Sequence, residues 1–181
     1  MSTLTEDYRR TMIRHPEDLL TGLDAMVHSL IGSYKIRPGM IWAFLAHAQE
    51  IDGLAPEWKD LSDHMLRRKL LDFKNAFRRR KKPYESLVPS ALAAIREAAS
   101  RRVGLSPFVV QLAGALALYR GYGVEMATGE GKTLTAALAC VLNGWSGYPC
   151  HVITVNDYLA GRDARWMGPL YEFCGVTAGW V

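Results

Sequence analysis

Apolar residues recur along this chain with two different periods. Between residues 62 and 81, Leu66, Leu70, Phe73 and Phe77 stand three and four apart among basic residues. That is one stripe of an amphipathic helix, with Ser62 in position to cap it. Pro89 can open a second helix that carries Leu92, Ile95 and Ala99 on one face and stops at Gly104. A third is expected after Ser106 as cap and Pro107 at its first position. Leu134–Leu142 reads as a buried helix ended by Asn143-Gly144. Between these lie short runs of another kind: Val124–Ala127, the β-branched Cys150–Val155, and Val176–Val181. Each reads as a strand, and the last as a third strand interrupted near its middle. Asn156–Ala164 reads as a loop passing into a capped helix, where Asp157 and Arg162 are expected to cap and to couple the loop to its neighbours.

The junction between the first strand and the Leu134 helix carries the chemistry. Residues 126–133 read Met-Ala-Thr-Gly-Glu-Gly-Lys-Thr. Gly129 and Gly131 allow backbone N–H groups to approach phosphates without a Cβ in the way. Lys132 supplies a cation, and Thr133 offers a hydroxyl to Mg²⁺. Thr128 and the backbone of Glu130 complete the loop, and the acidic Glu130 side chain is expected to point away from the phosphates. Met126 stands where the commonest phosphate-loop pattern has its first glycine, which points toward helicase-like motor ATPases. Seventeen residues before Thr128, Gln111 can both donate to and accept from an adenine edge, and Phe108 can pack on the base. The ligand expected is ATP with Mg²⁺. Strand, crossover helix and strand make a βαβ unit with the phosphate site at the carboxyl ends of its strands. The fold class expected is therefore α/β: a P-loop parallel-sheet fragment of the RecA-like, helicase type, preceded by an α-helical N-terminal region.

From Leu61 to Val181, two thirds of the chain, the sequence resembles SecA, the ATP-driven motor of bacterial preprotein export. The likeness rests on Leu61-Ser62-Asp63, the run Pro107–Leu112, Glu125–Leu134, Thr154–Ala160, Arg162-Asp163-Ala164 and Trp166–Phe173. The resemblance implies that Gln111 contacts adenine and that Gly129–Thr133 bind phosphates. It also implies an ATPase working with a Sec-type membrane channel and unfolded preproteins, peripheral on the inner face of the membrane. Residues 1–58, including Ile36–Phe44, depart from the family's usual start and are read as a helical extension. Residues 59–104 then form a helical lead-in, and 105–181 the first part of a DEAD-type ATP-binding domain. A motor of this type also needs an acidic pair after a buried strand. The pairs here, Glu6-Asp7 and Glu17-Asp18, follow no such strand. The expectation is a chain that grips ATP without the parts to cleave it. A non-catalytic nucleotide-binding or interaction module and a nucleic-acid helicase are the alternatives.

Charge narrows the partners. Residues 67–82 hold nine Lys or Arg against Asp72 alone, so a chain of net charge +4 is acidic elsewhere. Arg78–Lys82 reads as a solvated helix end or a contact for an acidic partner or anionic lipid, the lipid surface spanning Arg67–Lys82. No aromatic residues interleave there as a stacking platform, so no nucleic-acid partner is expected; a homodimer is left open. His28, His47 and His64 are isolated. Cys140, Cys150 and Cys174 have neither paired spacing nor even number, and are expected to be reduced thiols in apolar elements, without disulfide or zinc. No run approaches the roughly 18 apolar residues of a membrane span. Met1–Asp7 lacks the pattern of a signal peptide, so a cytoplasmic protein is expected.

Overall fold

The computed structural model describes residues 22–35, 38–79, 84–147 and 149–181. The acid pairs Glu6-Asp7 and Glu17-Asp18, Ile36-Arg37, and Arg80-Lys81-Lys82 of the basic run lie outside the described residues. The chain divides into two units, residues 1–40 and 41–181. In the first, helix α1 (Leu23–Lys35) carries Leu23, Met26, Val27, Leu30 and Ile31 at helical spacing, all exposed. Helix α2 (Pro38–Gly53) begins there and runs into the second unit.

The second unit is built around one helix. After α3 (Ala55–Lys59), α4 (Asp63–Arg79) and the 3₁₀ turn Tyr84–Leu87 comes α5 (Val88–Val103). This helix packs against α3, α4, α7 (Lys132–Trp145) and α8 (Asp157–Phe173). Its composition explains that position. Ala91, Ala93, Ala94, Ala98 and Ala99 are buried with Leu92 and Ile95, so its apolar surface wraps well beyond a single stripe. Small side chains let neighbours approach from several sides. Gly104, left-handed at φ 74°, ends it. On α4 the sequence stripe turns inward: Leu66, Leu70 and Phe77 are buried, Phe73 packs against the same core, and the Met65 N–H donates to Ser62 Oγ at 3.3 Å. Trp145 joins this layer to the C-terminal segment. It is fully buried, meets Phe77 edge-on at 5.7 Å, and donates from Nε1 to the Cys174 carbonyl at 2.8 Å.

Helix α6 (Val109–Tyr119) lies closely along α7. Gly114 makes the approach possible, since a Cβ there would fall 2.9 Å from Thr135 Cγ2. The same glycine faces Val124 and Met126, so residues 122–126 run beside α6. Two helix ends differ from the sequence reading. Helix α6 begins at Val109, not at Pro107, because the Gln111 side chain accepts the Phe108 N–H at 3.0 Å and fixes Phe108 as the cap residue. Ser106 meets Ser100 instead, hydroxyl to hydroxyl at 2.9 Å. Helix α7 runs through Asn143-Gly144 to Trp145, because burying the indole is worth more than stopping early, and Asn143 is absorbed by donating to the Ala139 carbonyl.

The fold class differs from expectation. Among the described residues there is no strand and no sheet, so the parallel-sheet fragment is not the architecture found. The second unit is a helical assembly joined by irregular segments. Val124–Ala127, Cys150–Val155 and Val176–Val181 carry no regular secondary structure, though alternation survives in the first, where Val124 and Met126 are half-buried and Glu125 is exposed. β-branched patterning makes a strand only when a neighbour completes the ladder. These segments are not paired with one another. Ile153 and Val155 are accordingly 91% and 89% exposed.

Candidate nucleotide site

The glycine-rich loop leaves its lead-in at Ala127 and enters α7 at Lys132. Two reversals of backbone hand make this turn: Gly129 at φ 88° and Gly131, the residue before the helix, at φ 85°. Both lie in the left-handed region, which glycine alone enters at no steric cost. At Gly131 a side chain is excluded twice over, because the Gln111 amide occupies the space its Cβ would need. Beyond the loop the first N–H groups of α7 have no intrahelical partner and point outward with the positive end of the helix dipole.

Three side chains close the loop on itself. The Gln111 Nε2 amide donates to the Glu130 carbonyl at 2.7 Å. The Ala127 N–H donates to Glu130 Oε2 at 2.9 Å. Lys132 Nζ reaches back to donate to the Ala127 carbonyl at 2.7 Å. Glu130 is thus turned onto the backbone of its own loop, where it occupies a donor. Lys132 is exposed and bonds a neutral carbonyl, a weak partner for an ammonium. Gln111 is buried, and its oxygen and nitrogen each use one hydrogen-bonding position, on Phe108 and Glu130. A second lone pair and a second N–H remain. Phe108, one helical turn away, is 72% exposed, its ring face open to solvent.

The structure therefore brings Gln111 against Glu130 and Gly131, ties Lys132 to Ala127, and sets Thr128 and Gly129 at the exposed tip. Thr133 points another way. Its Oγ1 faces Asp163 Oδ2 of α8 at 3.5 Å. Asp163 in turn holds Arg162, whose Nε and Nη2 lie 2.8 and 2.7 Å from Oδ1. Asp163 is the residue that sequence reasoning passed over, and Arg162 is bonded to it and does not cap the helix. Asp157 is not the cap of α8: Asn156 is, its Oδ1 accepting the Leu159 N–H at 2.9 Å, while Asp157 sits in the first turn. Asn156 was visible as a capping type, and Asp163 lies seven residues, about two helical turns, beyond it on the same face. A concavity of about 590 Å³ between α8 and residues 175–180 includes no loop residue. The loop lies on open surface.

Comparison with known proteins places the chain in a family. Residues 29–181 match the family model of the SecA DEAD-like domain. The chain is 48% identical over 177 residues to the protein translocase subunit SecA 2 of Chlorobium chlorochromatii, covering 98% of this chain and 27% of that protein. It is 42% identical to the SecA 2 subunit of Magnetococcus marinus, covering 90% and 25%. With the SecA subunit of Caldicellulosiruptor saccharolyticus the identity is 45%, covering 85% and 18%. The chain thus spans about a quarter or less of the length of these relatives.

Proposed function

Because the chain belongs to the SecA DEAD-like domain family, we propose that it supplies the nucleotide-gripping part of an ATP-driven protein translocase. The observation that carries this reading is the loop at the start of α7. Two left-handed glycines and a lysine on a neutral carbonyl precede the unpaired N–H groups of a helix start, the arrangement a phosphate needs. The pieces fit Mg·ATP. Lys132 exchanges the Ala127 carbonyl for phosphate oxygens, a stronger, charge-assisted partner. Glu130 gives up the Ala127 N–H, since its carboxylate is repelled by the polyphosphate. Thr133 offers its hydroxyl to Mg²⁺, with Asp163 beside it. Gln111 reads the adenine edge through its remaining lone pair and N–H without releasing the loop, and Phe108 packs on the base.

Kinship extends the proposal to the whole protein. The relatives are protein translocase subunits, which supports ATP hydrolysis coupled to export of unfolded preproteins through a Sec-type membrane channel. The exposed basic residues Arg67, Arg68, Lys69, Arg78 and Arg79 on α4 suit an anionic lipid surface. Cytoplasmic residence at the inner face of the membrane, and assembly with a second copy, complete the reading. None of the described helices is long and apolar enough to cross a membrane.

The test is direct. Titration of the chain with Mg·ATP should show binding that Lys132→Ala weakens by about 1.5 to 3 kcal/mol, the range of a charge-assisted contact, with unchanged helical content. Equal affinities for the two proteins would reject the phosphate role.

A further inference from the structure

Two of the three thiols that sequence spacing separates are brought together by the fold. Cys140 lies on α7, the helix that begins at the nucleotide loop, and Cys150 opens the segment that follows it. Their sulfurs are 3.7 Å apart, Cys150 Sγ directed at Cys140 Sγ. Cys150 is exposed, Cys140 half-buried and Cys174 fully buried. Among the described residues, no backbone hydrogen bond holds residues 149–155, so closing the sulfur gap to the roughly 2.05 Å of a disulfide requires no helix to break.

We propose that Cys140 and Cys150 form an oxidation site, closed to an intramolecular disulfide by a hydroperoxide and reopened by a dithiol, which ties residues 149–155 to the nucleotide-loop helix. The inference rests on the fold and is independent of the nucleotide reading. Exposure sets the order of events. The Cys150 thiol gives up its proton and its sulfur attacks an oxygen of hydrogen peroxide, the O–O bond breaks, and the departing hydroxide takes up that proton as water, leaving Cys150 as its sulfenic acid. The Cys140 sulfur then attacks the Cys150 sulfur. The S–O bond breaks, the departing hydroxide takes the Cys140 proton, and a second water is released. The two thiols lose two electrons and one hydroperoxide is reduced. Burial, with Cys150 as neighbour, pushes the Cys140 thiol up to about 12, which leaves the exposed Cys150 to meet the oxidant first, and the 3.7 Å separation sets Cys140 to follow. Tyr171, facing the same thiol, supplies a hydroxyl beside the reacting sulfur. The tie would join α7 to the segment leading into α8, whose Asp163 faces Thr133.

The experiment treats the native full chain with hydrogen peroxide, alkylates remaining thiols, and reads intact mass and cross-linked peptides. The expected result is joint loss of the Cys140 and Cys150 thiols with the mass of two hydrogens, a single Cys140–Cys150 peptide pair, Cys174 alkylated only after unfolding, and full reversal by dithiothreitol. Cys140→Ser should halt at a Cys150 sulfenic acid trapped by dimedone, and Cys150→Ser should leave Cys140 largely reduced. Near-UV circular dichroism checks that both variants keep the fold, and the same oxidation in guanidinium should lose the pairing preference. The proposal is overturned by any of three results in the native chain: a mixture of pairs like that in guanidinium, disulfides chiefly between molecules, or Cys150 sulfenic acid that accumulates beside intact Cys140.

Discussion

Helix α5 and the loop at residues 127–131 are built on opposite terms. The helix buries a largely alanine surface against several neighbours. The loop is exposed and is closed by three polar contacts, two of them made by side chains that also have ligand chemistry to offer. Area removed from water holds the first, and directional bonds that can be exchanged hold the second. The difference separates stability from function within about forty residues. A change in the helical layer should alter folding and leave the loop's chemistry intact in whatever fraction stays folded. A change in the loop should do the reverse.

The strongest way to break this division is at Trp145, which belongs to the loop's own helix yet lies in the core. Trp145→Ala removes a fully buried indole, its aromatic partners and the bond to the Cys174 carbonyl. The expected cost is about 3 to 5 kcal/mol of unfolding free energy, read as a lowered denaturant midpoint. Nucleotide affinity of the folded fraction, measured well below that midpoint, should stay within about twofold if loop and core are energetically separate. A large affinity loss in protein that remains folded would show that α7 transmits core strain to the loop.

Gln111 is where the two regimes meet, being buried like the core and bonded to the loop. If its spare lone pair and N–H read adenine, Gln111→Ala should weaken ATP more than GTP, narrowing the preference by about 1 kcal/mol, one net hydrogen bond. If it serves only as a brace for Glu130 and Gly131, both nucleotides should weaken alike. Paired competition titrations separate the outcomes.

How far each region could be read from the sequence follows the same division. The helical layer was legible because helix formation is local: the Leu66, Leu70, Phe77 stripe, the Ser62 cap and the Gly104 stop each act within a few residues. The glycine loop was legible for the same reason, since Gly129 and Gly131 need only their own φ values. The sheet was misread because pairing is not local. Cys150–Val155 has the composition of a parallel strand, but composition does not supply the neighbouring ladder. Also invisible were contacts made between elements: Asp163 facing Thr133 from α8, the Gln111 amide against Gly131, and the two sulfurs at 3.7 Å. Sequence showed residue types suited to these roles without showing that they meet.

The smallest effect expected lies at the edge of the helical layer, where an arginine ties α3 to α5. Arg101 donates to the carbonyls of Trp58, Lys59 and Leu61 as well as to Glu97 and Asp63. Burial disfavours its charge, but the hydrogen bonds it donates to Glu97 and Asp63 more than offset this and hold its pKa above the ordinary arginine value. Asp63 answers in the opposite sense: the hydrogen bond from Arg101, helped by the charge of Arg102, keeps its carboxyl below the usual carboxylate value of 3.8. A carboxylate whose pKa is lowered on folding stabilises the protein fully above its unfolded value and loses that contribution as the pH falls through the folded one. Its position in the first turn of α4 adds in the same direction through the helix dipole. Asp63→Asn should therefore lower the denaturant midpoint slightly at neutral pH, as expected for an exposed ion pair. The gap between the two proteins should shrink on acidification below the unfolded carboxylate value and vanish below the lowered one. Nucleotide affinity of the folded protein should be the same in both throughout. A midpoint difference that persists unchanged into acid would mean that Asp63 acts through packing and not charge, and would remove electrostatics from the account of how the helical layer holds together.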